Sequence, residues 1–155
     1  MDAIRPRHLV VDDSTLSRLL AISELQVGDS VSQAVTFTTE LREAFHQLAN
    51  DNAPVHGDAD FARARGYDAP ILQGLCVTSR FSRLIGMYLP GEGAVVESLT
   101  FKFRKPVYEG RLVEYRVEVT RMLRALQVVR LRLTVESDGQ LCIEGEAQCL
   151  LRKTK

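Results

Sequence analysis

The stretch of sequence that decides the fold is PILQGLCVTSRFSRLIGMY, residues 70–88. Arg80 and Arg83 are its only charged residues, and apolar side chains occur on nearly every side of a helix drawn through it. A helix with so little polar surface must be surrounded by protein. The stretch therefore predicts a buried helix, and the rest of the chain has to supply the layer that covers it.

The second half of the chain supplies strands for that layer. Four segments read as strands, most of them with alternating apolar and polar residues: 99–104, 113–120, 129–136 and 143–151. The pair Asp138-Gly139 is a tight-turn signal between the last two of them. Strands with a single apolar face are typical of antiparallel sheets that bury one side. The predicted fold class is therefore α+β, with one antiparallel sheet wrapped around the central buried helix.

The first half of the chain predicts one strand, over residues 31–37, and two short helices. Thr39 is placed to cap the first helix, whose apolar stripe has helical spacing and consists of Leu41, Ala44, Phe45 and Leu48. Asp58 is placed to cap the second helix, and Gly66 is placed to end it. We therefore interpret Asp58 as a helix cap and not as a catalytic group.

The length of 155 residues is that of one ordinary domain. Residues 1–22 match no strong pattern and are assigned to an N-terminal extension, and residues 23–155 are predicted to form one domain. Twenty basic residues balance twenty acidic ones, so a nucleic-acid-binding surface is not expected. No apolar run approaches the length of a membrane span, so membrane association is not expected either.

The three cysteines, Cys76, Cys142 and Cys149, are odd in number and have no metal-ligand spacing. Each lies among apolar neighbours, as small buried hydrophobic residues do. We expect structural roles for all three, no metal site, and a reducing, cytoplasmic location. The short apolar run near the N-terminus is interrupted at once by Asp12 and Asp13, so a signal peptide is not expected.

Short motifs follow one another in the middle of the chain: DNAPVHGD at 51–58, FA at 61–62, GY at 66–67 and PILQG at 70–74. In this order they resemble the MaoC-like, (R)-specific enoyl-CoA hydratases, whose pattern is Asp-x-Asn-Pro-(Ile/Leu)-His-x-Asp, Phe-Ala, Gly-(Phe/Tyr) and Pro-Ile-x-His-Gly. The matches continue in LPG at 89–91, Phe101 and PV at 106–107, so the resemblance covers roughly residues 25–150.

The chain departs from the family pattern at three positions. Asn50 precedes the first motif where the family often has a glycine or another small residue. Ala53 replaces the motif asparagine, and Gln73 replaces the histidine before the motif glycine. None of the three removes the aspartate, the histidine or the glycine that the resemblance makes functional.

The resemblance implies a hot-dog fold and a catalytic pair that consists of Asp51 and His56. Hydration of an enoyl thioester needs a water activated for attack on C3 and a proton delivered to C2. A carboxylate and an imidazole on one loop can hold such a water between them and exchange its protons. Histidine side chains in general can both accept and donate a proton under physiological conditions, which suits either role.

The resemblance further implies that the backbone N–H of Gly74 stabilises the enolate oxygen and that Ser82 orients the catalytic carboxylate. The start of a helix has unsatisfied N–H groups and a positive dipole, which suit a developing negative charge. Alternatively, Gly74 relieves crowding between helix and sheet, and Ser82 bonds to a carbonyl of its own helix. Ser79 is a second candidate for the orienting role.

The acyl tail is expected to run beside the buried helix, where the candidate wall residues are Leu75, Cys76, Val77 and Phe81. Phe81 either closes the pocket or is part of the core. Three basic residues, Lys102, Arg104 and Lys105, either meet the phosphates of CoA or form the solvated face of a strand.

The predicted function is reversible hydration of a trans-2-enoyl thioester, carried by CoA or an acyl carrier protein, to an (R)-3-hydroxyacyl thioester. The alternatives are a hot-dog acyl thioesterase and a non-catalytic module that binds acyl thioesters. No bound cofactor or metal is expected, because CoA or the carrier protein arrives with the substrate. Unpaired sheet edges and the resemblance together predict a homodimer or a higher homo-oligomer.

Overall fold

The computed structural model describes residues 5–151 of the chain. The strands are β1 (His8–Val10), β2 (Ser30–Thr36), β3 (Ala94–Phe103), β4 (Leu112–Leu123), β5 (Val128–Ser137) and β6 (Gln140–Leu151). The helices are α1 (Thr39–Ala49), α2 (Ala59–Ala64) and α3 (Gly74–Arg83), the last extended by a π-helical turn over Leu84–Tyr88. No helix in this part of the chain is long and apolar enough to cross a membrane.

All six strands form one sheet in the order β1-β2-β4-β5-β6-β3. Neighbouring strands are antiparallel, except that β1 runs parallel to β2. The sheet is therefore mixed, and the expectation of an antiparallel sheet holds for its other five strands. The exception arises because β1 belongs to the N-terminal extension, which adds a strand to the sheet's edge.

The sheet curls around α3, and the side chains between the two layers form the core. Alternate residues of β4 and β5 point inward and are almost completely buried, as the sequence alternation predicts: Val113, Tyr115, Val117 and Val119 from β4, and Val129, Leu131, Leu133 and Val135 from β5. The Tyr115 hydroxyl donates a hydrogen bond of 2.8 Å to the carbonyl of Val77 in α3. This bond satisfies a buried hydroxyl and ties the helix to the sheet.

The central helix is shorter and less enclosed than its sequence suggests. Residues 71 and 72 are extended: Ile71 forms a β-bridge with Tyr108, and the Leu72 N–H donates to the Val107 carbonyl. The helix therefore begins at Gly74. Its outward face is open, because Leu75 is 67% exposed and Ser82 is also exposed. A single chain thus covers only one side of α3.

The two short helices start with side-chain caps. The Thr38 hydroxyl accepts the N–H of Leu41, so the cap of α1 lies one residue before the predicted one. The Asp58 carboxylate accepts the N–H groups of Asp60 and Phe61, which confirms its role as the cap of α2. The apolar stripe of α1 is largely unburied and faces a groove of about 610 Å³ between α1 and α3, which we call the α1–α3 groove.

The described part of the N-terminal extension packs against the end of α3. The Asp13 carboxylate lies 3.3 Å from the Arg80 guanidinium. The Tyr88 hydroxyl donates to the Thr15 carbonyl at 2.9 Å, and the Arg18 N–H donates to the Met87 carbonyl at 2.7 Å. These bonds fasten the π-helical turn to the extension.

Candidate active site

The loop after α1 presents an aspartate and a histidine to each other. Asn50 ends α1 in the left-handed conformation, with φ of 49°, and so turns the chain sharply before Asp51. One carboxylate oxygen of Asp51 accepts the Ala53 N–H at 3.0 Å, and a 3₁₀ turn over Pro54–His56 brings the imidazole back. The local turns therefore place two side chains five residues apart in contact.

The imidazole of His56 has a defined orientation. Its Nδ1 lies 2.8 Å from the Ile71 carbonyl oxygen, which can only accept a hydrogen bond. Nδ1 therefore carries the proton, and the Nε2 lone pair is free in the neutral ring. Nε2 lies 3.7 Å from the second carboxylate oxygen of Asp51, close enough for one water to bond to both atoms. The pair thus has the geometry of a base and a carboxylate that share a water.

A cavity of about 510 Å³ adjoins His56, and Asp51 is not among the residues that line it. Its wall is mainly apolar, and its lining residues are His56, Tyr67, Ile71, Leu72, Gly74, Leu75, Val77, Phe103, Arg104, Lys105, Pro106, Val107 and Ile143. His56 and the first turn of α3 thus open into one space. An apolar cavity with a few polar groups at one side is the usual form of a small-molecule site.

Gly74 lines this cavity. It is the first residue of α3, and within residues 5–151 its N–H has no acceptor in hydrogen-bonding distance. A Cβ at this position would lie 2.6 Å from the ring of Phe103, which is closer than real contacts allow. Both interpretations of Gly74 therefore have support. The N-terminus of α3 offers a hydrogen-bond donor, and a side chain at this position would collide with the ring of Phe103.

The remaining predicted site residues divide among three places. Leu75 and Val77 line the cavity beside His56, whereas Cys76, Ser79 and Ser82 border the α1–α3 groove. Phe81 is 1% exposed and lies in the core, stacked on Phe101. In the described region, neither Ser82 nor Ser79 bonds to the Asp51 carboxylate.

The two candidate serines also differ in their hydrogen bonds. The Ser79 hydroxyl donates to the Cys76 carbonyl of its own helix at 2.7 Å. Ser82 is exposed and has no such bond in the described part of the chain. The orienting role of Ser82 thus stays a prediction. Ser79, rather than Ser82, makes the hydrogen bond to a carbonyl of its own helix.

Several cavity residues were not predicted from the sequence. Tyr67 comes from the loop after α2, Phe103 ends β3, Pro106 and Val107 follow it, and Ile143 lies in β6. Tyr67, Pro106 and Val107 belong to the motifs quoted above, and that signal could have identified them. Ile143 and Phe103 had no signal beyond strand alternation.

Two basic residues stand at the cavity. Arg104 forms an ion pair with Glu144, and the Lys105 ammonium donates to the Gln140 side chain at 2.6 Å. Lys102 is exposed and does not line the cavity. All three basic residues are therefore exposed, and two of them, Arg104 and Lys105, also line the cavity.

Gln73 is the residue that replaces the family's histidine. It is 4% exposed, and its side-chain carbonyl has no hydrogen-bond partner in residues 5–151.

Within residues 5–151, no cluster of three or more His, Cys, Asp or Glu residues is arranged to hold a metal ion.

The three cysteines are free and buried. Burial raises the pKa of the Cys76 and Cys142 thiols, and it raises the pKa of Cys149 to about 12. A thiol nucleophile needs a lowered pKa, so these environments favour structural roles.

Comparison with known proteins agrees with the geometry. The model of the MaoC like domain matches residues 24–140. The (R)-specific enoyl-CoA hydratase of Aeromonas caviae is 31% identical over 129 residues, which cover 83% of this chain and 96% of the relative. The chain belongs to the MaoC-like dehydratase family.

Other members of the MaoC-like family show the same relationship. The mitochondrial 3-hydroxyacyl-[acyl-carrier-protein] dehydratase FERN of Solanum lycopersicum is 31% identical over 147 residues, covering 93% of this chain and 85% of that protein. The solved (R)-hydratase from A. caviae, described as involved in PHA biosynthesis, superposes with a TM-score of 0.79 at 32% identity. That match covers 85% of this chain and 100% of the other. The fold is thus the hot-dog fold of this MaoC-like family.

Proposed function

We propose that this MaoC-like protein catalyses the reversible hydration of a trans-2-enoyl thioester to an (R)-3-hydroxyacyl thioester. The observation that carries the proposal is the His56–Asp51 pair, in which His56 lines the same cavity as Gly74, the first residue of α3. The relatives named as hydratases and dehydratases support the same reaction class.

The dyad would activate the water. In the hydration direction, a water held by His56 Nε2 and the Asp51 carboxylate adds its oxygen to C3 and gives up a proton to the pair. The C2 carbon then receives a proton, so the two steps together add one molecule of water. In the dehydration direction the same groups remove the C2 proton and protonate the leaving hydroxyl.

Attack at C3 moves negative charge onto the thioester oxygen. The N–H of Gly74, at the positive end of α3, would donate a hydrogen bond to that oxygen. Such a donor lowers the barrier because it is already oriented before charge develops.

The thioester carrier would enter past Arg104 and Lys105. Their guanidinium and ammonium groups suit the phosphates of CoA or of a carrier protein's phosphopantetheine. The reaction as proposed needs neither a resident metal nor an organic cofactor, because water and the dyad supply its protons.

We also propose that the protein acts as a homodimer in the cytoplasm. The long unpaired edge of the sheet at β3 supports the dimer. The three free, buried cysteines suit a reducing compartment. Fractionation of cells with an antibody against the protein tests the location.

One assay tests the proposed reaction against its alternatives. Purified protein is mixed with crotonyl-CoA and longer enoyl-CoAs while enoyl absorbance and free thiol are followed in parallel, and the product is resolved on a chiral column. Loss of absorbance without thiol release, with the (R) product, is the expected result. Thiol release would identify a thioesterase, and binding without either signal would identify a non-catalytic module.

A further inference from the structure

An aromatic ring occupies the space that a side chain at position 74 would fill. Three ring atoms of Phe103 lie 2.6, 3.0 and 3.1 Å from the place of a Cβ built on Gly74. The ring thus lies directly against the glycine that begins α3. Gly74 and Phe103 both line the cavity.

Burial in the core does not explain why an aromatic side chain lies at position 103. Phe103 is 54% exposed, although it lines the cavity together with His56 and Gly74. Two further aromatic residues support it from behind: its ring centroid is 6.3 Å from that of the partly buried Phe101, which stacks on the buried Phe81 at 5.7 Å. The half-exposed end of a packed aromatic row therefore faces the cavity.

We infer that Phe103 is a positioning and specificity-determining residue, a rigid wall that aligns the thioester with the Gly74 N–H. This inference rests on the proposed function. The conjugated O=C1–C2=C3 unit of an enoyl thioester is planar, so a flat aromatic wall can hold it in one orientation between Gly74 and His56. A 2-methyl group lies in the plane of the enoyl unit but projects out of it when C2 becomes tetrahedral during hydration, so the ring also selects against turnover of 2-methyl-enoyl thioesters.

The contact between the two residues gives a size-swap test. Gly74→Ala keeps the N–H but collides with the ring, so kcat should fall about 100-fold, as expected for a misplacement near 1 Å. Phe103→Ala should raise KM for crotonyl-CoA about tenfold and raise the relative rate with 2-methylcrotonyl-CoA by a similar factor. In the Phe103→Ala background, Gly74→Ala should cost less than about threefold, because the ring is gone.

Leu112→Ala is the matched control, since Leu112 is equally exposed at 54% and does not line the cavity. It should leave both kinetic constants and the 2-methyl selectivity unchanged. The inference fails if Gly74→Ala is equally damaging in both backgrounds, or if Phe103→Ala changes only the melting temperature.

Binding separates this inference from the proposed reaction. The affinity for 3-hydroxybutyryl-CoA, measured by calorimetry, should drop in Phe103→Ala and not in Leu112→Ala. If the wild type binds this ligand without turning over any enoyl-CoA, the proposed reaction is wrong, and the calorimetry alone decides the role of Phe103.

Discussion

At the scale of single residues, the site depends on how His56 is held. The Ile71 carbonyl fixes the proton on Nδ1, and Asp51 stands on the other side of the ring at 3.7 Å. Ile71 can serve in this way because it lies in the extended segment before α3, where its own N–H donates to the Val55 carbonyl. The histidine is therefore oriented by backbone of the Pro70-Ile71 motif, and the two motifs act together.

Substitution of either member of the pair should remove most of the activity. Asp51→Asn and His56→Ala are each expected to lower kcat by about 10²–10⁴-fold, because a general acid–base is lost. Since both groups act on one water, the double variant should lose little more than either single one. Steady-state kinetics with crotonyl-CoA measures this.

His46→Ala is the control for these variants, because His46 lies in α1 and does not line the cavity. It should retain wild-type turnover, and all variants should keep the wild-type circular dichroism. Near-normal kcat in either dyad variant would rule out the assignment.

At the scale of elements, α3 has to be anchored firmly because it carries Gly74 at its first position. Its buried face is fixed by Phe81, whose ring contacts Phe101 and lies edge-on to Tyr115 with centroids 5.4 Å apart. Phe81 thus belongs to the layer between helix and sheet and is separated from the cavity that His56 lines.

Phe81→Ala should therefore destabilise the protein without changing its substrate range. We expect a loss of about 3–5 kcal/mol in the free energy of unfolding, as for other buried phenylalanines. Phe81→Leu, which keeps more volume, should cost less. Urea unfolding gives the stability, and the rate ratio for short against long enoyl-CoAs gives the substrate range. A shift toward longer chains with normal stability would instead make Phe81 the pocket floor.

The N-terminal strand is anchored by an ion pair between the half-exposed Arg7 and the buried Asp29. The Asp29 carboxylate is 2% exposed and lies 2.9 Å from the Arg7 guanidinium. Burial disfavours its charge, but hydrogen bonds from Arg7 and from the Gln26 N–H outweigh burial and hold the pKa of Asp29 below its ordinary value. A lowered pKa in the folded state stabilises the protein above the unfolded-state pKa of about 4, and that stabilisation disappears as the pH falls through the folded value.

Asp29→Asn should therefore lower the free energy of unfolding at pH 7, and this loss should be smaller in acid. The expected loss at pH 7 is about 1.5–3 kcal/mol, the value for a hydrogen bond to a charged group. Urea unfolding should show that the difference in free energy of unfolding between variant and wild type is smaller at pH 3 than at pH 7. Asp60→Asn is the control, because that carboxylate is 94% exposed and its ion pair contributes little. A difference independent of pH would contradict the account.

At the scale of the whole molecule, one edge of the sheet is unprotected. β3 is ten residues long, pairs within residues 5–151 with β6 alone, and leaves Val95, Val96 and Leu99 more than a third exposed. The opposite edge is the three-residue β1. A long apolar edge strand favours pairing with another copy. The same copy could cover the open face of α3, where Leu75 is exposed.

The protein should therefore be a dimer at micromolar concentration, which light scattering measures. Leu99→Lys places a charge in the β3 edge and should shift the equilibrium toward monomer. Leu126→Lys is the control, because Leu126 is 65% exposed in the turn after β4, away from that edge. A stable wild-type monomer, or equal dimerisation of both variants, would exclude this edge as the interface.

The sequence by itself determined the α+β fold class, the Asp58 cap of α2 and the proximity of Asp51 and His56, whose catalytic role stays a prediction. These features depend on periodicity or on residues close together in the chain, as with Asp51 and His56, or Asp58 and α2. Order along the chain was enough to predict this proximity because local turns bring such residues together, whereas the orientation of the imidazole also depends on the Ile71 carbonyl.

Only the tertiary structure decided which side chains share the cavity. The curvature of the sheet brings Phe103 and Ile143 to the first turn of α3, and alternation along a strand cannot report where the sheet bends. Pairing of Ile71 with Tyr108 likewise delays the start of α3 to Gly74. The direction of Phe81 into the core and of Ser82 toward the α1–α3 groove depends on how α3 is rotated against the sheet. That rotation is set by long-range packing, which a single sequence does not contain.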